Sequence, residues 1–206
     1  MTASTPLLEQ ADTQAAGPHP AAAVPLYREL LAAEPTHVDA RLRLAQLLDR
    51  LEQGEAALTL LADALRQSPD QTEFLVLRGE ILWHLRQFDE AEADLRRALR
   101  LHPSHGRAHL ELGRVLWRKG LATEASTHFR QAVEFQPDHA QSHTCLGDAL
   151  NQAGDLAGAR TALERAVQLD PHDAKAHHLL GRVYDRLGHP DEARAMYQRS
   201  RELTGA

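Results

Sequence analysis

The residues of this 206-residue chain whose types could do chemistry are thirteen histidines and one cysteine. Imidazoles could bind a metal or move protons, and a thiolate could act as nucleophile. His109, His143 and His177 recur 34 residues apart, and His105/His109 and His139/His143 are i,i+4 pairs. Zinc needs several donors within ~2.1 Å of one point. Rings borne on successive helix pairs stand too far apart for that, and neither i,i+4 pair has a third ligand in view. Cys145 is the lone cysteine, which excludes an internal disulfide and a thiolate metal cluster. His143 lies two residues from it, about 200° around a helix, so the two form no nucleophile–base dyad. No phosphate loop, catalytic carboxylate pair or serine elbow appears. The chain therefore reads as no enzyme, with no metal and no cofactor.

What must position these residues is a repeat. Pro35, Pro69, Pro103, Pro137 and Pro171 fall 34 residues apart. Ala23, Ala57, Ala91, Ala125, Ala159 and Ala193 keep the same period, as do Gly79, Gly113, Gly147 and Gly181, with Ala45 one unit earlier. Leu61, Leu95, Phe129, Leu163 and Tyr197 form a fourth series. Chance does not hold several residue types to one period over that many intervals.

A 34-residue unit with a small residue eighth, Ala twentieth, a large apolar residue twenty-fourth and Pro thirty-second resembles the tetratricopeptide repeat. In the central unit, 106–139, the matching residues are Leu112, Gly113, Leu116, Ala125, Phe129, Ala132 and Pro137. The resemblance covers residues 38–206. It implies an all-α fold, an α-solenoid of antiparallel helix pairs wound into a right-handed superhelix with a concave, usually peptide-binding, surface. It implies no reaction. Some members clamp a carboxylate terminus with Lys at position 5 and Asn at position 9. Position 5 here reads Leu42, Val76, Leu110, Thr144 and His178, so that clamp is absent. The run from Pro137 to Gly147 instead looks like bacterial repeats that precede glycosyltransferase or sulfotransferase domains. The alternative to an interaction module is accordingly the arm of such a transferase, presenting a protein substrate to a catalytic domain outside this chain.

Composition agrees with a helical repeat. Aromatic residues make up only 4% against 43% apolar overall, which lacks the aromatic richness of sheets. A net charge of −6 without a Lys/Arg block argues against nucleic acid, and no apolar run reaches the ~18–20 residues of a membrane helix. No signal peptide or lipoprotein cysteine is evident, so cytoplasmic is the default.

Residues 1–19 read either as a disordered tail or as a degenerate first helix, with Thr5 as cap and Pro6 in the first turn. Residues 20–37 read as the second helix of a degenerate first repeat. Five units follow: 38–71, 72–105, 106–139, 140–173 and 174–206. Each divides near Gly54, Gln87, Gly120, Gly154 or Gly188, and Asp89, Thr123 and Asp191 stand where second helices need caps. Arg78 occupies a core slot filled elsewhere by Leu44, Leu112, Leu146 and Leu180, so it must snorkel or find a carboxylate. In the last unit Ser200 and Arg201 replace Ala and Leu/Val, a polar outer surface of the kind that ends a stack.

At 100° per residue, positions 4, 7, 8 and 11 of each unit share the buried face, and positions 2, 5, 6, 9, 12 and 13 the opposite, groove-lining one. Position 9 alternates in sign, as Gln46, Glu80, Arg114, Asp148 and Arg182, and reads as a ladder of ion pairs. Position 12 carries Trp83 and Trp117, the only tryptophans in the chain. The expected contact surface is Val76, Leu77, Glu80, Trp83, Arg107, Leu110, Arg114, Trp117, Arg118 and Asp148. It would suit a protein or peptide with apolar anchors and acidic residues, and leaves room for a homo-oligomer.

Overall fold

Each 34-residue unit supplies two apolar stripes at helical spacing with a short polar break between them, and each break is a turn between paired helices. The computed structural model describes residues 4–205, and every regular element there is helical. Residues 1–3 of the expected N-terminal segment and Ala206 of the last repeat lie outside the described residues. The chain divides into two compact units, Met1–His102 and Pro103–Ala206.

The first unit holds α1 (Ser4–Ala16), a 3-10 turn (Pro20–Ala22), α2 (Ala23–Ala33), α3 (Val38–Arg50), α4 (Gly54–Gln67), α5 (Thr72–His84) and α6 (Phe88–Leu101). The second holds α7 (Gly106–Arg118), α8 (Ala122–Phe135), α9 (Ala140–Ala153), α10 (Leu156–Leu169), α11 (Ala174–Leu187) and α12 (Pro190–Thr204). In each unit every first helix lies along its own second helix, and the next first helix packs against that second helix in turn. First helices also approach each other directly, α3 to α5 and α9 to α11. Helices of 11 to 15 residues are marginal alone in water, so this stacking is what holds them.

Small residues at the crossings permit it. Ala11, Ala45, Ala57, Ala91, Ala125 and Ala159 are completely buried. A methyl group added to Gly113 would stand 2.6 Å from Phe129 Cε1, and one added to Gly147 only 2.4 Å from Leu163 Cγ. The large residue at position 24 therefore fills the space that the glycine at position 8 leaves open.

In the N-terminal segment, α1 packs against α2. Ala11 is buried, Asp12 accepts a 2.7 Å hydrogen bond from Tyr27 and pairs with Arg43, and Arg50 donates to the Ala15 carbonyl at 2.9 Å. Arg78 does find a carboxylate: its Nε and Nη2 bind Asp94 side-on at 2.6 and 2.7 Å.

Two local expectations need correction. Asp89, Thr123 and Asp191 are not caps, because α6, α8 and α12 begin one residue earlier, after Gln87, Leu121 and His189. Asp89 and Asp191 still favour the helix dipole from inside the first turn. Nor do Gly54 and Gln87 make the turns of their hairpins. The residue with left-handed backbone is position 15 throughout: Glu52 and Arg86 at φ 60° and 63°, then Gly120, Gly154 and Gly188 at 79–87°.

Candidate functional site

The first helices of each unit present positions 2, 5, 6, 9, 12 and 13 away from their partner helices, and the charges collected there differ between the units. In the first unit, Glu9, Asp12, Asp39, Asp49, Glu73 and Glu80 face two cations, Arg43 and Arg50, for a net −4. In the second, Arg107, Arg114, Arg118, Lys175, Arg182 and Arg186 face Glu111, Asp148 and Asp185, for a net +3.

Within the second unit this face is built on α7, α9 and α11. Arg114, with its side chain 17% exposed, donates from Nη1 to Glu111 Oε2 at 2.9 Å on its own helix. Asp148 accepts from Gln152 at 3.2 Å. Thr144 donates to Asp173 at 3.0 Å, and the other Asp173 oxygen caps α11 through the Lys175 and Ala176 amides. Arg186 donates to Asn151 Oδ1 at 2.6 Å. Lys175, Arg182 and Arg118 are exposed, which leaves cationic ends toward solvent. Cys145 on the same face is half-buried, and desolvation pushes its thiol up to about 11 against the opposing pull of Lys175 and Arg114. A thiol held protonated near neutral pH is a poor nucleophile.

Of the ten residues expected to form a contact surface, Val76, Leu77, Glu80 and Trp83 belong to the first unit and the other six to the second. Val76, Leu77 and Leu110 are corrected to core: they are at most 3% exposed, because positions 5 and 6 turn partly toward packed neighbours. Trp83 is half-buried, its ring edge-on to His84 at 5.4 Å. Trp117 is half-buried too and tilts against Phe129, with ring centroids 6.5 Å apart, so part of each indole is used in its own hairpin. Glu80, Arg107, Arg114 and Asp148 are half-buried and Arg118 is exposed. At position 9, Arg114 bonds Glu111 and Asp148 bonds Gln152 along their own helices.

Five of the histidines make hydrogen bonds that hold the fold. His109, His143 and His177 at position 4 each turn Nε2 onto the carbonyl of the preceding Pro103, Pro137 or Pro171, at 2.8, 2.8 and 3.2 Å. A carbonyl only accepts, so Nε2 carries the proton, and His109 Nδ1 accepts from His128 Nδ1 at 2.9 Å. Desolvation lowers the His109 pKa, opposed by the Pro103 carbonyl. His37 and His105 cap α3 and α7 by accepting the Ala40 and Ala108 amides. Among the described residues no three His, Cys, Asp or Glu side chains converge as metal ligands would, and no helix is long and apolar enough to cross a membrane.

One feature of this face was missed in the sequence. Position 13 reaches back 35 residues to position 12 of the preceding repeat: Arg50 to Ala15, His84 Nδ1 to Asp49 Oδ2 at 2.8 Å, and Arg186 to Asn151. A search for donor–acceptor pairs at spacing 35 would have found the last two.

Stacked helix hairpins with polar first-helix faces and a packed small-residue core define a helical-repeat protein-interaction module. Sequence profiles of the tetratricopeptide repeat match residues 7–81 and 150–204, and 76–140 and 124–174, so the chain belongs to the tetratricopeptide repeat family. PilF of Pseudomonas aeruginosa superposes with a TM-score of 0.83 at 18% identity, over 97% of this chain and 91% of that one. MamA (41-end) from Desulfovibrio magneticus RS-1 does so at 0.67 and 25% identity, over 88% and 94%. YrrB, described as a TPR protein with an unusual peptide-binding site, gives 0.64 at 20%, over 86% and 91%. No curated protein matches the sequence.

Proposed function

We propose that this chain is a non-enzymatic interaction module that holds an acidic protein segment, anchored by apolar side chains, against the first-helix face of its second unit. The observation that carries this reading is the excess of cations on that face, with Lys175, Arg182 and Arg118 exposed around half-buried Arg107, Arg114 and Trp117. Cations lining one face steer an acidic segment into register and reject a basic one. The exposed part of Trp117 offers the kind of aromatic anchor on which binding energy concentrates. The peptide-binding site named for YrrB supports the same use of a related fold.

The test is fluorescence anisotropy with a short labelled peptide alternating Glu with Leu and Phe. Trp117→Ala should weaken binding roughly thirtyfold or more, the scale of a lost ~2 kcal/mol anchor, and Arg186→Ala far less. Circular dichroism must stay helical in both. The reverse order would place the contact elsewhere and leave Trp117 as packing only.

A further inference from the structure

The position-4 histidines of the second unit differ in what position 23 offers them. In the repeat 106–139, His128 at position 23 donates to His109 Nδ1 at 2.9 Å, and the two rings stack 5.2 Å apart at 29°. In the repeat 140–173, His143 is held in the same way, its Nε2 donating to the Pro137 carbonyl at 2.8 Å, but position 23 is Ala162, whose methyl group donates nothing. His143 is only 8% exposed and makes no other hydrogen bond among the described residues. Its Nδ1 lone pair is therefore a nearly buried acceptor that lacks a donor.

That acceptor stands in the wall of an opening. Positions 19 and 23 lie one turn apart on the second helix, and along the chain they read Ala56/Leu60, Glu90/Asp94, Glu124/His128, Gly158/Ala162 and Glu192/Met196. Gly158 and Ala162 are the smallest pair. Where they stand, α8, α9 and α10 enclose a cleft of about 600 Å³ lined by Val133, Leu146 and Ala162, with His143 beside them. The charges at its rim are engaged: Arg165 pairs with Asp138 at 2.7 Å, and Glu164 accepts from the Tyr184 hydroxyl at 3.0 Å. A mainly apolar cleft with one acceptor in its wall suits a neutral, apolar ligand that brings one donor.

We propose that this cleft binds a planar aromatic ring carrying an N–H donor, an indole or a neutral imidazole, which stacks on His143 and donates to its Nδ1. The molecule already forms that arrangement once, with its own His128 against His109. An alkyl chain would fill the volume but desolvate the acceptor without pairing it, a cost that a donor ring avoids. A metal ion would find a single ring nitrogen, short of the several donors it needs. The site lies against positions 4 and 7 of α9, opposite the groove-lining positions, so it is separate from the cationic first-helix face.

Titrations of the full-length chain with indole and with benzothiophene, a ring of the same shape without a donor, test this by amide NMR. Indole should shift signals of α8, α9 and α10 saturably, and benzothiophene should bind about fivefold or more weakly, the scale of one lost hydrogen bond. His143→Leu, which gives position 4 the residue type it has at Leu75, should erase that difference. Ala162→His, which copies His128, should fill the cleft and weaken both ligands by about tenfold or more. Lys175→Glu with Arg182→Glu should change none of this, so the test fails or succeeds independently of the one for the first-helix face. N-acetyltryptophanamide then separates the sources of the ring. Binding at least as tight as that of indole assigns the site to a side chain of a protein partner, and binding of indole alone assigns it to a free small molecule. The proposal is overturned if indole shifts no signal of these helices up to its solubility, if benzothiophene binds as well as indole, or if Ala162→His leaves binding intact. Far-ultraviolet circular dichroism on each variant separates these outcomes from unfolding.

Discussion

In the first unit the hairpin turns pass through Glu52 and Arg86 with left-handed backbone, and in the second through Gly120, Gly154 and Gly188. In the first unit a core slot holds the Arg78–Asp94 pair, and in the second the same slots hold Leu112 with His128, and Leu146 with Ala162. At position 4 the first unit has Arg41 and Leu75, the second three histidines bonded to proline carbonyls. The same backbone is thus reached with different side chains, provided that volume, turn geometry and hydrogen bonding at each site are met. What does not repeat is the charge of the first-helix faces, negative in one unit and positive in the other. Packing does not dictate that charge, so it is where the units are free to differ in function.

The comparison is broken most strongly at Arg78. Asp94→Ala leaves a half-buried guanidinium alone and should lower stability by about 2–4 kcal/mol in urea denaturation, while Arg78→Leu with Asp94→Leu, which restores the apolar pattern, should be neutral or stabilising. If the single and double variants lose equally, the pair is not what holds that hairpin. Next come the crossings: Gly113→Ala or Ala125→Leu should cost on the order of 1–3 kcal/mol through overpacking against Phe129 and its surroundings. An unchanged denaturant midpoint would contradict the assigned 34-residue alignment.

The turns give a smaller effect of opposite sign in the two units. Glu52→Gly and Arg86→Gly should each raise stability by roughly 0.5–1 kcal/mol, and Gly154→Ala should lower it by a similar amount, because only glycine adopts positive φ without strain. Thermal midpoints of the single variants check this. Smallest is a pH effect confined to the second unit. Burial depresses the folded pKa of His109 below the ordinary value of about 6.5, so the unfolded chain takes up that proton first. Its contribution is complete above about pH 6.5 and is lost as pH falls from there through the depressed folded value. Hydrogen exchange at pH 7.5 and 5.5 should show α7 and α8 losing protection, and His109→Gln, which keeps a donor for Pro103, should blunt the change.

The repeat, and with it the helical fold, was legible because packing forces the same small and large residues to recur: Gly113 can sit against Phe129 only if it stays glycine. The turns were less legible, since Glu52 and Arg86 hold a conformation whose usual mark is Gly, and Gly54 lay two residues away as a decoy. The site was legible in part. At position 12 Trp83 and Trp117 are half-buried, but helical periodicity alone could not show that positions 5 and 6 are packed, so Val76, Leu77 and Leu110 read as surface. The histidines invited metal chemistry because residue type was visible in the sequence and their partners, the carbonyls of Pro103, Pro137 and Pro171, were not.

The central claim is that the cationic first-helix face of the second unit, and not its acidic counterpart in the first, takes the partner. Anisotropy titrations of the acidic, apolar-anchored peptide against three proteins test it most directly: wild type, Lys175→Glu with Arg182→Glu, and Asp39→Lys with Glu73→Lys. The second-unit double variant should bind about tenfold or more weakly, a loss of ~1.4 kcal/mol, with a shallower salt dependence, while the first-unit double variant should bind about as wild type does. Equal losses in both variants, or a Lys-containing peptide that binds as well as the Glu-containing one, would contradict the account.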